Sequence, residues 1–226
     1  MLLQILDTLA IEEPILEETS QSINLWEMAQ YGGWIMVILA ILLAGACYIF
    51  IARLVVIKQA TQEDKSFMDR IRDYMRNNDV KSAINYCRNT NTAAARMIER
   101  GITRIGKPAA EIQTAIENTG NLEIATMEKR LPVLATIAGG APMIGFLGTV
   151  IGMVEAFWQM SNAGGNIDIS LLSGGIYQAM ITTVGGLAVG IVALFGYNYL
   201  VAKIDGVVNE IEAKSLTFMD IVAAGE

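Results

Sequence analysis

The chain contains no histidine. That removes imidazole general bases, histidine-activated nucleophiles and most zinc sites. Its two cysteines, Cys47 in an apolar run and Cys87 in a charged one, do not make a disulfide framework. Charge is scarce: 17% of the 226 residues, against about 25% in an ordinary soluble domain. Cations are missing from whole stretches. No Lys or Arg precedes Arg53, and none lies between Arg130 and Lys203. Tracts of that kind read as membrane spans. A net charge of −7 argues against nucleic acid as a partner. No basic segment leads into an apolar core and cleavage site, so a removed signal peptide is not expected.

What is there divides the chain in order. Residues 1–31 are acidic, with Asp7, Glu12, Glu13, Glu17, Glu18 and Glu27, and carry Leu2, Leu3, Ile5, Leu6 and Leu9 at the start. This predicts an outer amphipathic segment lying on the membrane surface; an unstructured tail is the alternative. Residues 32–52 are uncharged, and about twenty apolar residues cross a bilayer core as a helix. Trp26, Tyr31 and Trp34 mark one interface, and Tyr48 and Phe50 approach the other. Arg53 and Lys58 follow at once, so the positive-inside rule places the N-terminus outside.

Residues 53–131 predict a cytoplasmic helical domain. Phe67, Ile71, Tyr74 and Met75, then Ile84 and Cys87, then Met97, Ile98 and Ile102 recur at helical spacing. "RNND" at 76–79 and "RNTNT" at 88–92 read as breaks with capping residues, and Pro108 suits a helix start. A second span at 132–158, a short outer loop at 159–171, a third span at 172–200 and a cytoplasmic tail at 201–226 complete the plan. The fold class is an all-α membrane protein: three transmembrane helices, N-out and C-in, with long helical cytoplasmic extensions.

Glycine clusters inside the second and third spans, although each interior glycine costs a helix about 1 kcal/mol against alanine. With Thr149 at zero on a helical wheel, Gly145 falls near −40°, Gly152 near −60°, Ala156 near −20° and Gly148 near −100°. Gly186 and Gly190 lie within about 60° of Thr183. Gly148-x-x-x-Gly152 and Gly186-x-x-x-Gly190 are small-xxx-small patterns, which let helices approach closely in lipid. Thr149 lies roughly 14 Å of helix from Trp158, and Thr183 roughly 17 Å from Leu172. The two hydroxyls therefore sit at similar depth, near mid-bilayer. Two readings stand for them: helix packing with the hydroxyls bonded back to their own helices, or a polar pathway and seat for a partner helix. A charge at mid-bilayer is costly and usually marks function, but this chain has none there. Glu155, toward the outer end of the second span, is either a mouth residue or an interfacial charge. Gln178, early in the third, cannot titrate. A shuttling carboxylate would have to come from another subunit.

"GFLGTVIGM" (145–153), "GGIYQAMITTVGGLAVGIVALFGYN" (174–198) and the three-span, N-out layout resemble the MotA/TolQ/ExbB proton-channel family, most closely its ExbB and TolQ branches. The resemblance implies a multi-pass subunit of the bacterial inner membrane that forms a homopentameric ring around single-span ExbD- or TolR-like helices. That partner brings a transmembrane Asp, and the ring's Thr residues face it. By motif position the proton-pathway residues map to Thr149 and Thr183, with Thr182, Glu155 and Gln178 nearby. Gly145, Gly148, Gly152, Gly186 and Gly190 form the packing and pore face. Proton flow would then energise a TonB- or TolA-like protein acting at the outer membrane. Two positions depart from the family's pattern: Gln178 stands where Glu is common, and Val192 where Pro is common. The first removes a titratable group, and the second straightens the third span.

The leading expectation is a ring subunit of a proton-driven motor of the ExbB–ExbD type, serving TonB-dependent transport. A TolQ-like or stator-like motor subunit, for envelope integrity or motility, and a non-conducting membrane scaffold are the alternatives. No enzyme, cofactor, metal or nucleic-acid partner is expected; the surroundings are lipid.

Overall fold

The structure, a computed structural model, describes residues 32–62, 66–162 and 169–224. The segment expected at 1–31, with Trp26 and Tyr31, lies outside the described residues. Every regular element among the described residues is an α-helix. We number them α1 (Gly33–Thr61), α2 (Phe67–Arg76), α3 (Val80–Thr90), α4 (Ala93–Ile102), α5 (Ala109–Glu128), α6 (Leu131–Asn162) and α7 (Ile169–Ala224). Three helical stretches are long and apolar enough to cross a membrane. They contain the runs expected at 32–52, 132–158 and 172–200, in α1, α6 and α7.

Two helices run further than the sequence reading placed them. α6 and α7 extend into the connection expected at 159–171, leaving 163–168 outside the described residues. The stretch read as a tail, 201–226, is the second half of α7. That helix continues to Ala224 over 56 residues. At 1.5 Å per residue it is about 84 Å long, well beyond a hydrocarbon core of about 30 Å.

The short helices stop and start where side chains satisfy backbone groups. Asp79 accepts from the Ser82 amide (3.1 Å) at the start of α3. Asn91 takes a left-handed conformation (φ 50°) that closes it, which asparagine tolerates better than most residues. Thr92, buried, accepts from the Ala95 amide (3.2 Å) and caps α4. Between α5 and α6, Arg130 sits at φ 74°, and its carbonyl accepts from the Val133 and Leu134 amides (3.2 and 3.3 Å).

Below the spans, α2–α5 wrap the far half of α7. Phe67 and Ile71, Ala83 and Cys87, Met97, Ile98 and Ile102, Ile112 and Ile116 are buried there, with Ile211 and Phe218 from α7. Phe218 packs so closely on α4 that a methyl group built on Gly101 would lie 2.6 Å from its ring. Arg96 of α4 donates twice to the Glu123 carboxylate of α5, both at 2.6 Å, and also to the Asn91 carbonyl at 2.7 Å. The hydrogen bond to Glu123 raises the Arg96 pKa above its ordinary value, against the lowering effect of partial burial. Arg53, buried on α1, donates to the Thr126 carbonyl of α5 (3.1 Å) and ties the first span to the bundle. Cys87 is buried, Cys47 is exposed, and neither is in a disulfide.

Candidate functional site

The site is built where α6 and α7 cross the middle of the spans. Their backbones approach directly because the facing positions carry almost no side chain. A methyl group built on Gly145 would lie 2.7 Å from the Thr182 carbonyl oxygen and 3.0 Å from the Gly186 Cα. One on Gly186 would lie 2.6 Å from the Ala141 carbonyl oxygen. Gly148 faces the Thr182 hydroxyl, Gly152 faces Ala179, Gly175 faces Ala156, and Gly190 faces Pro142. Contacts that climb one helix while descending the other make the pair antiparallel. α1 lies across the same seam, with Ile35 beside Gly148 and Leu39 beside Gly185.

The sequence leaves two readings of this glycine face, helix packing or a seat for a partner's helix. In the structure the chain closes the face with its own α7: Gly145, Gly148, Gly152 and Ala156 are all buried. The physical reason is local. Close approach through small residues is the packing available to apolar helices in lipid, and the nearest matching small-residue stripe belongs to the same chain.

Three hydroxyls converge at this crossing. Thr149 Oγ1 and Thr183 Oγ1 are in direct hydrogen-bonding contact. Thr149 donates to the Ala179 carbonyl across the seam (3.0 Å), with the Gly145 carbonyl of its own helix more distant (3.4 Å). Thr183 reaches the Gly145 carbonyl at 3.3 Å. Thr182 donates to the Ala179 carbonyl (2.7 Å) and lies 3.3 Å from the Gly145 carbonyl. A hydroxyl offers one proton and two lone pairs, so the cluster keeps acceptor capacity after its protons are placed. Thr182 is buried, whereas Thr149 and Thr183 are half-buried at the edge of the seam. Beyond that edge lie exposed apolar side chains, among them Phe146, Val150, Met180 and Val184.

The other expected residues lie apart. Glu155 is exposed and forms no ion pair among the described residues. Gln178 is exposed, and its amide lies over the start of α1, where a methyl group on Gly33 would come within 3.2 Å of Nε2. The sequence reading missed the two carbonyls, of Gly145 and Ala179, that the hydroxyls share. It also missed Gly175 and Ala179 as seam residues. Their signal was present: Gly175, Ala179, Thr182, Gly186 and Gly190 follow one another at three- and four-residue steps. No group of His, Cys, Asp or Glu able to hold a metal ion occurs among the described residues.

Long apolar helices, glycine-packed and carrying buried hydroxyls where they cross, define a polytopic membrane protein whose polar chemistry lies inside its spans. The family model described as the MotA/TolQ/ExbB proton channel family matches residues 89–213, more than half the chain, and the chain belongs to that family. Among curated relatives, a putative biopolymer transport protein ExbB homolog of Methanothermobacter thermautotrophicus is 39% identical over 103 residues, covering 46% of this chain and 36% of that protein. The Tol-Pal system protein TolQ of Haemophilus influenzae is 39% identical over 100 residues, covering 44% and 42%. The biopolymer transport protein ExbB of Xanthomonas campestris is 28% identical over 114 residues, covering 50% and 45%. The matched stretches thus span less than half the length of these three relatives.

Proposed function

We propose that the chain is the ring-forming subunit of a proton-driven motor in the bacterial inner membrane, of the ExbB–ExbD type, coupled to TonB-dependent outer-membrane transport. The observation that carries this reading is the Thr149–Thr183 hydroxyl pair, held at one depth by two glycine-packed helices and open at the edge of the seam. A hydroxyl pair accepts a hydrogen bond from a protonated carboxyl and donates one to a carboxylate, so it can attend a carboxyl group in both states. The chain has no such carboxyl of its own at that depth: between Arg130 and Lys203 its acidic residues are Glu155 and Asp168. The carboxyl therefore comes from a partner, a single-span ExbD- or TolR-like helix carrying an Asp. Several copies of this chain, five by family likeness, surround it.

Cations that cluster from Arg53 to Arg130 and from Lys203 onward support a cytoplasmic bundle, with the N-terminus on the outer side. Thr149 and Thr183 would meet the partner carboxyl, with Thr182 behind them. Glu155 and Gln178 would lie nearer the outer mouth. The five glycines serve the pore by holding the hydroxyls rigidly at the seam. A TolQ-like role in envelope integrity uses the same machinery with a TolA-like output protein.

The test is complementation in cells that lack the native subunit. Thr149→Val and Thr183→Val should accumulate and assemble at wild-type levels yet fail to support gradient-driven uptake. Normal uptake in both variants would leave the scaffold reading, in which the seam only packs.

A further inference from the structure

We infer that a cleft between α1 and α7, at the cation-rich end of the spans, binds the headgroup of an anionic glycerophospholipid. The cleft encloses about 570 Å³. Leu54 and Ile57 of α1 and Leu200 and Val207 of α7 form its apolar walls, and Lys58 and Lys203 stand at its rim. Both ammonium groups are exposed, and neither forms an ion pair among the described residues. Lys203 is held with its Nζ 5.8 Å from the centre of the Tyr199 ring, an aromatic that also lines the cleft. Glu210, the carboxylate in the lining, is taken by Lys214 at 2.7 Å. The cleft therefore keeps an excess of positive charge.

Position selects the occupant. Lys58 lies in the last turn of α1, just past the end of the uncharged run, and Tyr199 and Lys203 close the apolar run of α7. Lysine and tyrosine at the ends of spans sit at headgroup level. Leu54, Tyr199 and Leu200 line the cleft on the span side of the two lysines, next to the acyl chains, and the lysines stand level with the phosphates. An anionic lipid satisfies both halves of the cleft. A zwitterionic lipid brings its own ammonium to a rim that already holds two.

The test uses the full chain in mild detergent, equilibrated with equal amounts of phosphatidylglycerol and phosphatidylcholine of matched acyl chains, with bound lipid counted by native mass spectrometry. The wild-type protein should retain phosphatidylglycerol preferentially. Each of Lys58→Gln and Lys203→Gln should lower that preference by about fivefold, and the pair by about thirtyfold, as expected for basic side chains at an anionic membrane surface. Lys58→Arg with Lys203→Arg should keep it. Lys81→Gln with Arg104→Gln, which removes the same charge from exposed positions in the bundle, should leave it unchanged. Millimolar inorganic phosphate should not displace the lipid. The proposal fails if the preference survives both single glutamine variants, if the distant pair lowers it equally, or if phosphate alone competes. The single variants decide the matter even if the double variant does not fold.

Discussion

The hydroxyls of Thr149 and Thr183, 34 residues apart in sequence, touch each other across the seam between α6 and α7. The contact fixes the register of the two helices at that depth. A shift of α7 by one residue would turn Thr183 by about 100° and carry its hydroxyl off the seam. The glycines on either side make the contact possible, because any larger residue would push the two backbones apart.

Gly145→Ala and Gly186→Ala should each destabilise the protein. Alanine gains about 1 kcal/mol in helix propensity. Overpacking costs typically 1–3 kcal/mol, and here the added methyl meets a backbone carbonyl oxygen, which cannot rotate away. The balance predicts a lower melting temperature in detergent. Gly139→Ala and Gly140→Ala, where nothing lies within 4 Å, should leave it unchanged or raise it. Equal melting temperatures for all four would mean the seam is looser than the structure shows.

Phe218→Ala should weaken the bundle by about 3–5 kcal/mol, the usual cost of removing a fully buried aromatic. The ring is 0% exposed and sits against Gly101 of α4. Protease sensitivity at the 91–92 and 103–108 connections should rise with little change in membrane insertion. A variant as resistant as the wild type would show that the end of α7 is not part of the bundle core.

The cap of α3 should respond to acid. Hydrogen bonds from the Ser82 hydroxyl and then its amide hold the Asp79 carboxyl below its ordinary value of 3.8. Because the folded value is depressed, its contribution is complete above the unfolded value. It is lost as the pH falls through the lower, folded one. Bundle melting measured from pH 7 down to pH 3 should show an acid-side loss that Asp79→Asn lessens, since asparagine caps as well without titrating. An identical acid profile in Asp79→Asn would assign the loss elsewhere.

The three spans were legible because they rest on a strong signal: uncharged runs long enough to cross a bilayer. The bundle helices were legible from Phe67, Ile71, Cys87, Ile98 and Ile102, and from capping residues at Asp79 and Thr92. Helical periodicity also reached the depth match of Thr149 and Thr183, since depth follows from counting along an antiparallel pair. The partner of the glycine face was not legible. A small-residue stripe says that a helix comes close, and nothing in the stripe says whose helix it is. Helical extensions were expected, but the unbroken run of α7 from the third span through its second half was not legible, because Lys203, Asp205, Glu210, Glu212 and Lys214 lend that half a polar average. Ile204, Val207, Ile211 and Phe218 keep one face apolar at three-, four- and seven-residue steps, and that face is the buried one.

The most direct test of the central claim is proton flux into liposomes holding the purified chain together with the single-span ExbD- or TolR-like protein proposed as its partner. Thr149→Val and Thr183→Val remove one oxygen each with little change in shape. Losing a hydrogen bond to an ionised carboxyl at the rate-limiting position should slow flux by about tenfold to a hundredfold. Thr149→Ser and Thr183→Ser, which restore the oxygen, should return most of it. Flux at the wild-type rate in both valine variants, with assembly intact, would contradict the assignment of these hydroxyls to the proton path.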